Sequence, residues 1–69
     1  MSKVTLFYYS DDDYRFERDI ETDIVFNLGI QLEVYIKGKS IRFWISSILY
    51  DIDEELIHVA LKDPEEIEY

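Results

Sequence analysis

Apolar and polar residues alternate with a period of two through the middle of the chain, and this limits what it can become. Leu32, Val34 and Ile36 alternate with Gln31, Glu33, Tyr35 and Lys37. After Lys37-Gly38-Lys39-Ser40 the pattern resumes, with Ile41, Phe43 and Ile45 set against Arg42, Trp44 and Ser46. On a helix these apolar residues would be scattered around the circumference, whereas on strands they share one face. The spacing predicts a β-hairpin with Gly38 supplying the turn. Upstream, Ile20, Thr22, Ile24, Phe26 and Leu28 fall on one parity and Asp19, Glu21, Asp23, Val25 and Asn27 on the other, until Gly29 breaks the run. That predicts a strand with one apolar and one largely acidic face. Residues 4–9, VTLFYY, are rich in strand formers and predict a further strand, with one of Tyr8 and Tyr9 facing outward.

The last third supports two readings. Ile48, Tyr50 and Ile52, then Ile57, Val59 and Leu61, fit two more strands joined at DIDEE. Alternatively, Asp51 caps a helix over residues 51–62, with Glu54 at the capping-box position, Leu56, Ile57, Ala60 and Leu61 as its stripe and Pro64 as its stop. The β-branched residues in LIHVAL favour the strand. The fold class expected is therefore mainly β, a small antiparallel sheet or meander of about five strands. An α+β arrangement with a C-terminal helix is the alternative. With 69 residues and no cysteine, residues 1–69 form a single domain with a thin core that no disulfide reinforces. Pairing of two copies into a homodimer is the expected way to bury more surface.

Charge is segregated along the chain. Residues 11–23 carry seven acids and two arginines, residues 51–69 carry eight acids and one lysine, and residues 24–50 carry one acid, Glu33, against Lys37, Lys39 and Arg42. The net charge of -9 repels nucleic acid and anionic lipid, since phosphate binding requires cations that displace counterions. It attracts basic surfaces, which are commonest on proteins that themselves bind nucleic acid. The apolar run near Met1 is too short for a secretory leader, and no stretch approaches the ~20 apolar residues of a membrane span. A cytoplasmic protein is expected.

Catalytic patterns are absent from the sequence. There is one histidine, His58, which reads as a sheet or helix residue, and neither glycine lies in a phosphate-cradling motif. Ser10 and Ser47 have no histidine and acid at triad spacing. An EF-hand beginning at Asp51 would need glycine and glutamate where Leu56 and Lys62 stand. The chain reads as a non-enzyme with no cofactor and no dedicated metal site.

What remains is the arrangement of acids. Asp19, Glu21 and Asp23 on one strand face, like Asp51, Asp53 and Glu55 if extended, would stand ~6.6 Å apart, comparable with the spacing of phosphates along a nucleic-acid strand. Asp11, Asp12, Asp13, Glu17, Asp19, Glu21 and Asp23 form one candidate partner-binding array, and Asp51, Asp53, Glu54 and Glu55 a second. Asp63, Glu65, Glu66 and Glu68 add long-range attraction. Tyr35 and Trp44, on the outward parity of the hairpin, are candidate interface aromatics.

A short, cysteine-free, aromatic-rich chain with clusters such as SDDDYRFERDIETD and YDIDEE resembles the small acidic phage-encoded DNA mimics, most of all those that inhibit the bacterial nucleoid protein HU. The likeness lies in size, charge and clustering, with no shared motif. It implies an inhibitor whose carboxylates occupy the basic DNA-binding surface of a host HU-like protein and compete with DNA. An inhibitor of a restriction or CRISPR nuclease would use the same chemistry on another target. A small structural or adaptor subunit that associates through its aromatic hairpin face is the alternative from a different class. In fold, residues 32–61 also resemble the Sm-like and SH3-like small barrels, with Asp51 at the acidic position of the Sm pattern. The glycine of the second strand is missing near Phe43 to Ile45 and no Arg-Gly motif follows, so this resemblance implies a meander and not RNA binding.

Overall fold

The computed structural model describes residues 1–68, which contain five strands and no helix: β1 (Ser2–Tyr8), β2 (Phe16–Thr22), β3 (Gln31–Ile36), β4 (Lys39–Asp51) and β5 (Leu56–Ile67). They form one sheet in the order β2-β1-β5-β4-β3. The β3–β4 hairpin has the register expected from the alternation, with Val34 opposite Ile41 and Ile36 opposite Lys39. Its two loop residues, Lys37 and Gly38, both have positive φ, 50° and 82°, as a type I′ turn requires.

The sheet curls into a half-barrel around its apolar face. Val4, Leu6, Tyr8, Val34, Ile36, Ile41, Phe43, Ile45, Val59 and Leu61 fill the inside, and Phe43 at 0% exposure is the largest fully enclosed side chain. On a flat sheet β2 and β4, three places apart, would be separated by ~14 Å. The Phe16 and Phe43 rings nevertheless lie 5.3 Å apart between centroids, and Tyr8 and Phe43 5.1 Å. The curl brings the outer edges of β2 and β3 towards each other, and there an Arg18 guanidinium N–H donates to the Tyr35 carbonyl at 3.4 Å.

Three expectations are corrected and one choice between two readings is decided. First, the strand predicted through Leu28 ends at Thr22, because β1, its only ladder partner among the described residues, runs out at Ser2 opposite Thr22. The Thr22 hydroxyl accepts the Ile24 N–H at 3.1 Å and residues 23–30 cross to the far edge, leaving Ile24, Val25 and Leu28 exposed while Phe26 enters the core. Second, the sheet is mixed and not wholly antiparallel: β3, β4 and β5 form a meander, but β1 runs parallel to β5 with Leu6 opposite Val59. Third, the strand reading of the last third holds over its helical alternative: residues 56–67 are strand, since β5 is flanked by β1 on one side and β4 on the other, a setting in which inward Val59 and Leu61 outweigh a capping signal. The capping pair exists in another role, for the Asp51 carboxylate accepts the Glu54 N–H at 3.1 Å within the β4–β5 turn. Pro64 sits where the register of β5 slips beside Asp63 (φ 53°), a bulge that tolerates a residue with no N–H to donate. Fourth, Ile52, expected on a strand, stands exposed in that turn.

Candidate functional site

Strand β2 carries Glu17, Asp19 and Glu21 on its outer face, opposite Phe7, Thr5 and Lys3 of β1. Alternate positions on an antiparallel strand space these carboxylates ~6.6–6.8 Å apart. Two are held by uncharged donors. The Tyr9 hydroxyl donates to Glu17 at 2.5 Å, and the buried Thr5 hydroxyl donates to Asp19 at 2.7 Å. The bond to Glu17 pushes the Tyr9 phenol above its ordinary pKa, so it remains a neutral donor at physiological pH. Arg15, at the head of the row, lies over the Tyr9 ring at 5.3 Å. Arg18 belongs to the opposite parity and turns to Tyr35 and to the Phe16 ring at 5.9 Å. Hydroxyls thus orient these acids without cancelling their charge.

The other acids divide between the two ends of the sheet. Asp11, Asp12 and Asp13 lie in the β1–β2 connection, where Asp11 accepts the Asp13 N–H through its carboxylate at 2.9 Å and the Tyr14 N–H through its carbonyl at 3.3 Å. Nearby, Asp13 shares a surface hollow with Tyr14, Lys37, Lys39 and Glu66. Glu66 accepts from Lys39 at 3.1 Å and from the Tyr14 hydroxyl at 3.0 Å, and these bonds, Lys39 first, hold its carboxyl below the usual glutamate range. At the opposite end Asp23, beyond β2, faces the N-terminal amine at 3.5 Å. Asp53, Glu54 and Glu55 occupy the β4–β5 turn, with Glu54 and Glu55 beside Met1 and Lys3. The extended row expected from Asp51, Asp53 and Glu55 does not form.

The two arrays meet at this end. Glu21, Lys3, Leu56 and Asp51 stand in successive register across β2, β1, β5 and β4, so Glu21 and Asp51 are three strand places apart on the outer face with Lys3 and Leu56 between them. Asp23, expected in the β2 row, is outside it, and Glu17 takes its place. The sequence reading missed the supporting donors Thr5 and Tyr9. A threonine of opposite parity to the core residues in an otherwise apolar run was the available signal.

Tyr35 and Trp44 both lie exposed on the outer side of the hairpin. Between them Arg42 pairs with Glu33 at 3.2 Å, and Trp44 stands opposite Gln31 and Lys62. His58 is half-buried on the outer face between Thr5 and Leu49. Among the described residues no group of three or more His, Asp or Glu side chains converges on a metal position, and no helix is long and apolar enough to cross a membrane. Comparisons with protein-family models, with curated proteins and with solved structures return no match for this chain.

Proposed function

We propose that this protein is a DNA-mimic inhibitor: a folded polyanion that occupies the basic DNA-binding surface of a host nucleoid-associated, HU-like protein in the bacterial cytoplasm and competes with DNA there. The observation that carries the reading is the β2 row, in which Glu17 and Asp19 are held by hydroxyls and are not neutralised by cations. An acidic surface serving solubility alone has no need to fix its carboxylates in place. The dimensions agree with the reading. The backbone measures 38 × 22 × 20 Å, a cross-section close to that of a duplex. Sixteen acids along 38 Å give about one per 2.4 Å of length, against roughly one phosphate per 1.7 Å of duplex axis. The seven cations reduce the net density to about one charge per 4.2 Å, so local rows matter more than the total. The same chemistry would serve against a restriction or CRISPR nuclease.

The exposed pair Tyr35 and Trp44 favours a second reading, a structural or adaptor subunit that docks through the hairpin. One experiment separates the two. The triple variant Glu17→Gln, Asp19→Asn, Glu21→Gln and the single variant Trp44→Ala are each titrated into an HU-like protein–duplex complex at two salt concentrations. Mimicry predicts that the wild type releases DNA, that the triple variant fails to, and that the difference narrows as salt rises. Undiminished competition by the triple variant overturns this array. Loss in Trp44→Ala alone transfers the function to the hairpin face.

A further inference from the structure

Strand β4 is thirteen residues long, but β3 covers only its first part, from Lys39 to Trp44. One more bond follows, from the Ile45 N–H to the Ile30 carbonyl at 3.1 Å. Over residues 46–51 the side of β4 turned away from β5 has no backbone partner among the described residues. Backbone groups left unpaired in this way must reach water, since burying them unmet is strongly unfavourable. The side chains here are unlike those on the β2 edge. The outer edge of β2 bears Glu17, Arg18, Asp19 and Glu21, charges of the kind that keep exposed edges from pairing. Residues 43–50 have no formal charge at all, and Leu49 and Tyr50 are 64% and 59% exposed.

We propose that this edge is the interface between two copies of the chain, paired antiparallel about a two-fold axis through Leu49. The occupant follows from the sequence of the edge. Residues directly opposite in an antiparallel pair must lie on the same face, and the half-buried, core-packed Ile48 fixes Ile48 and Tyr50 as inward and Ser47, Leu49 and Asp51 as outward. With Leu49 on the axis, Leu49 meets its own copy, Ile48 meets the copy's Tyr50, and Ser47 meets the copy's Asp51. Apolar residues face apolar residues, and a hydroxyl donor faces a carboxylate. One contact satisfies both unpaired edges, as an isologous interface does. Charge selects this edge over β2, where two copies each carrying -9 would set acid against acid, whereas no like charges are opposed along residues 47–50; on β3 the Tyr35 carbonyl already accepts from Arg18. The proposal does not depend on the inhibitor reading.

Sedimentation equilibrium from micromolar to millimolar concentration tests it on the intact chain. The expected result is a species of twice the 8.3 kDa chain mass, strengthened by added salt because screening weakens the repulsion between copies. The exposed position of Leu49 should accept Leu49→Lys without unfolding. That variant should weaken association at least tenfold, through like charges on the axis and loss of an apolar pair. As a measurement independent of folding energetics, Leu49→Cys in this cysteine-free chain should cross-link to its copy on mild oxidation, since opposed residues place their Cα atoms within disulfide range. Asp19→Cys should not. A wild type monomeric at millimolar concentration, a Leu49→Lys variant as dimeric as wild type, or equal cross-linking at position 19 would each overturn the interface.

Discussion

Phe43 shows how much of this fold depends on single side chains. Fully buried, it touches the Tyr8 and Phe16 rings and so joins β4 to β1 and β2 across the curl. Removing a buried phenylalanine costs about 3–5 kcal/mol. The roughly 0.05–0.15 kcal/mol per residue of native proteins would give a chain of 69 residues about 3–10 kcal/mol in total, and a single core this small with no disulfide rarely supplies more than about 3–5 kcal/mol. Phe43→Ala is therefore expected to be largely unfolded at 25 °C by near-UV circular dichroism, while Phe43→Leu retains a cooperative transition. A second residue-scale effect is electrostatic. Glu66 is held below the usual glutamate range by Lys39 and then by Tyr14, and Lys39 is held above its ordinary value chiefly by the bond to Glu66. A depressed carboxyl contributes stability above the unfolded-state glutamate pKa and loses it as pH falls through the lower folded value. A raised amine contributes below the unfolded-state lysine pKa and loses it as pH rises through the higher folded value. Carbon-detected NMR titration should find the Glu66 midpoint moving up in Lys39→Met, and an unmoved midpoint would remove Lys39 as the main cause.

The elements differ in how strongly local chemistry determines them, and the β3–β4 hairpin is the clearest case. Its turn needs positive φ at two positions, yet one is lysine, at 50°. Replacing Lys37 with asparagine, which tolerates that conformation better, should recover part of the roughly 1–2 kcal/mol that the left-handed conformation costs an ordinary residue and raise Tm. In contrast, Gly38→Ala should lower Tm even though a methyl group there meets nothing within 4 Å, because the cost is in the backbone at φ 82°. Differential scanning calorimetry of the two variants would test both signs. This hairpin was legible in the sequence because alternation and turn residue are local properties. The end of β2 was not, since the alternation of Ile24, Phe26 and Leu28 continues past the point where β1 stops offering a ladder. The parallel pairing of β1 with β5 and the bulges beside Ser46 and Pro64 were hidden for the same reason: they depend on partners far away in sequence. The candidate site divides along the same line. Period two correctly set Asp19 and Glu21 on one face, but it also extended the acids of residues 51–55, which the Asp51–Glu54 bond instead winds into a turn.

At the scale of the whole molecule, the charge of -9 acts in opposite directions on folding and on binding. Within one chain the acids repel one another, most strongly where Asp53, Glu54 and Glu55 crowd a single turn and where Glu17, Asp19 and Glu21 line one strand, so the folded state is stabilised when they are screened. Raising ionic strength to the region where the Debye length is ~3–10 Å should therefore increase Tm, and the triple variant of the β2 row should begin with a higher Tm and gain less from salt. In a complex with a basic partner the same carboxylates attract, and screening weakens the contact. Thermal melts and affinity measured on the same salt series should thus diverge, stability rising while binding falls. Loss of binding at high salt could then not be attributed to unfolding, because the free protein would be at its most stable there. If both rose with salt, the contact with the partner would be apolar, and Trp44 and Tyr35 would be the residues to replace next.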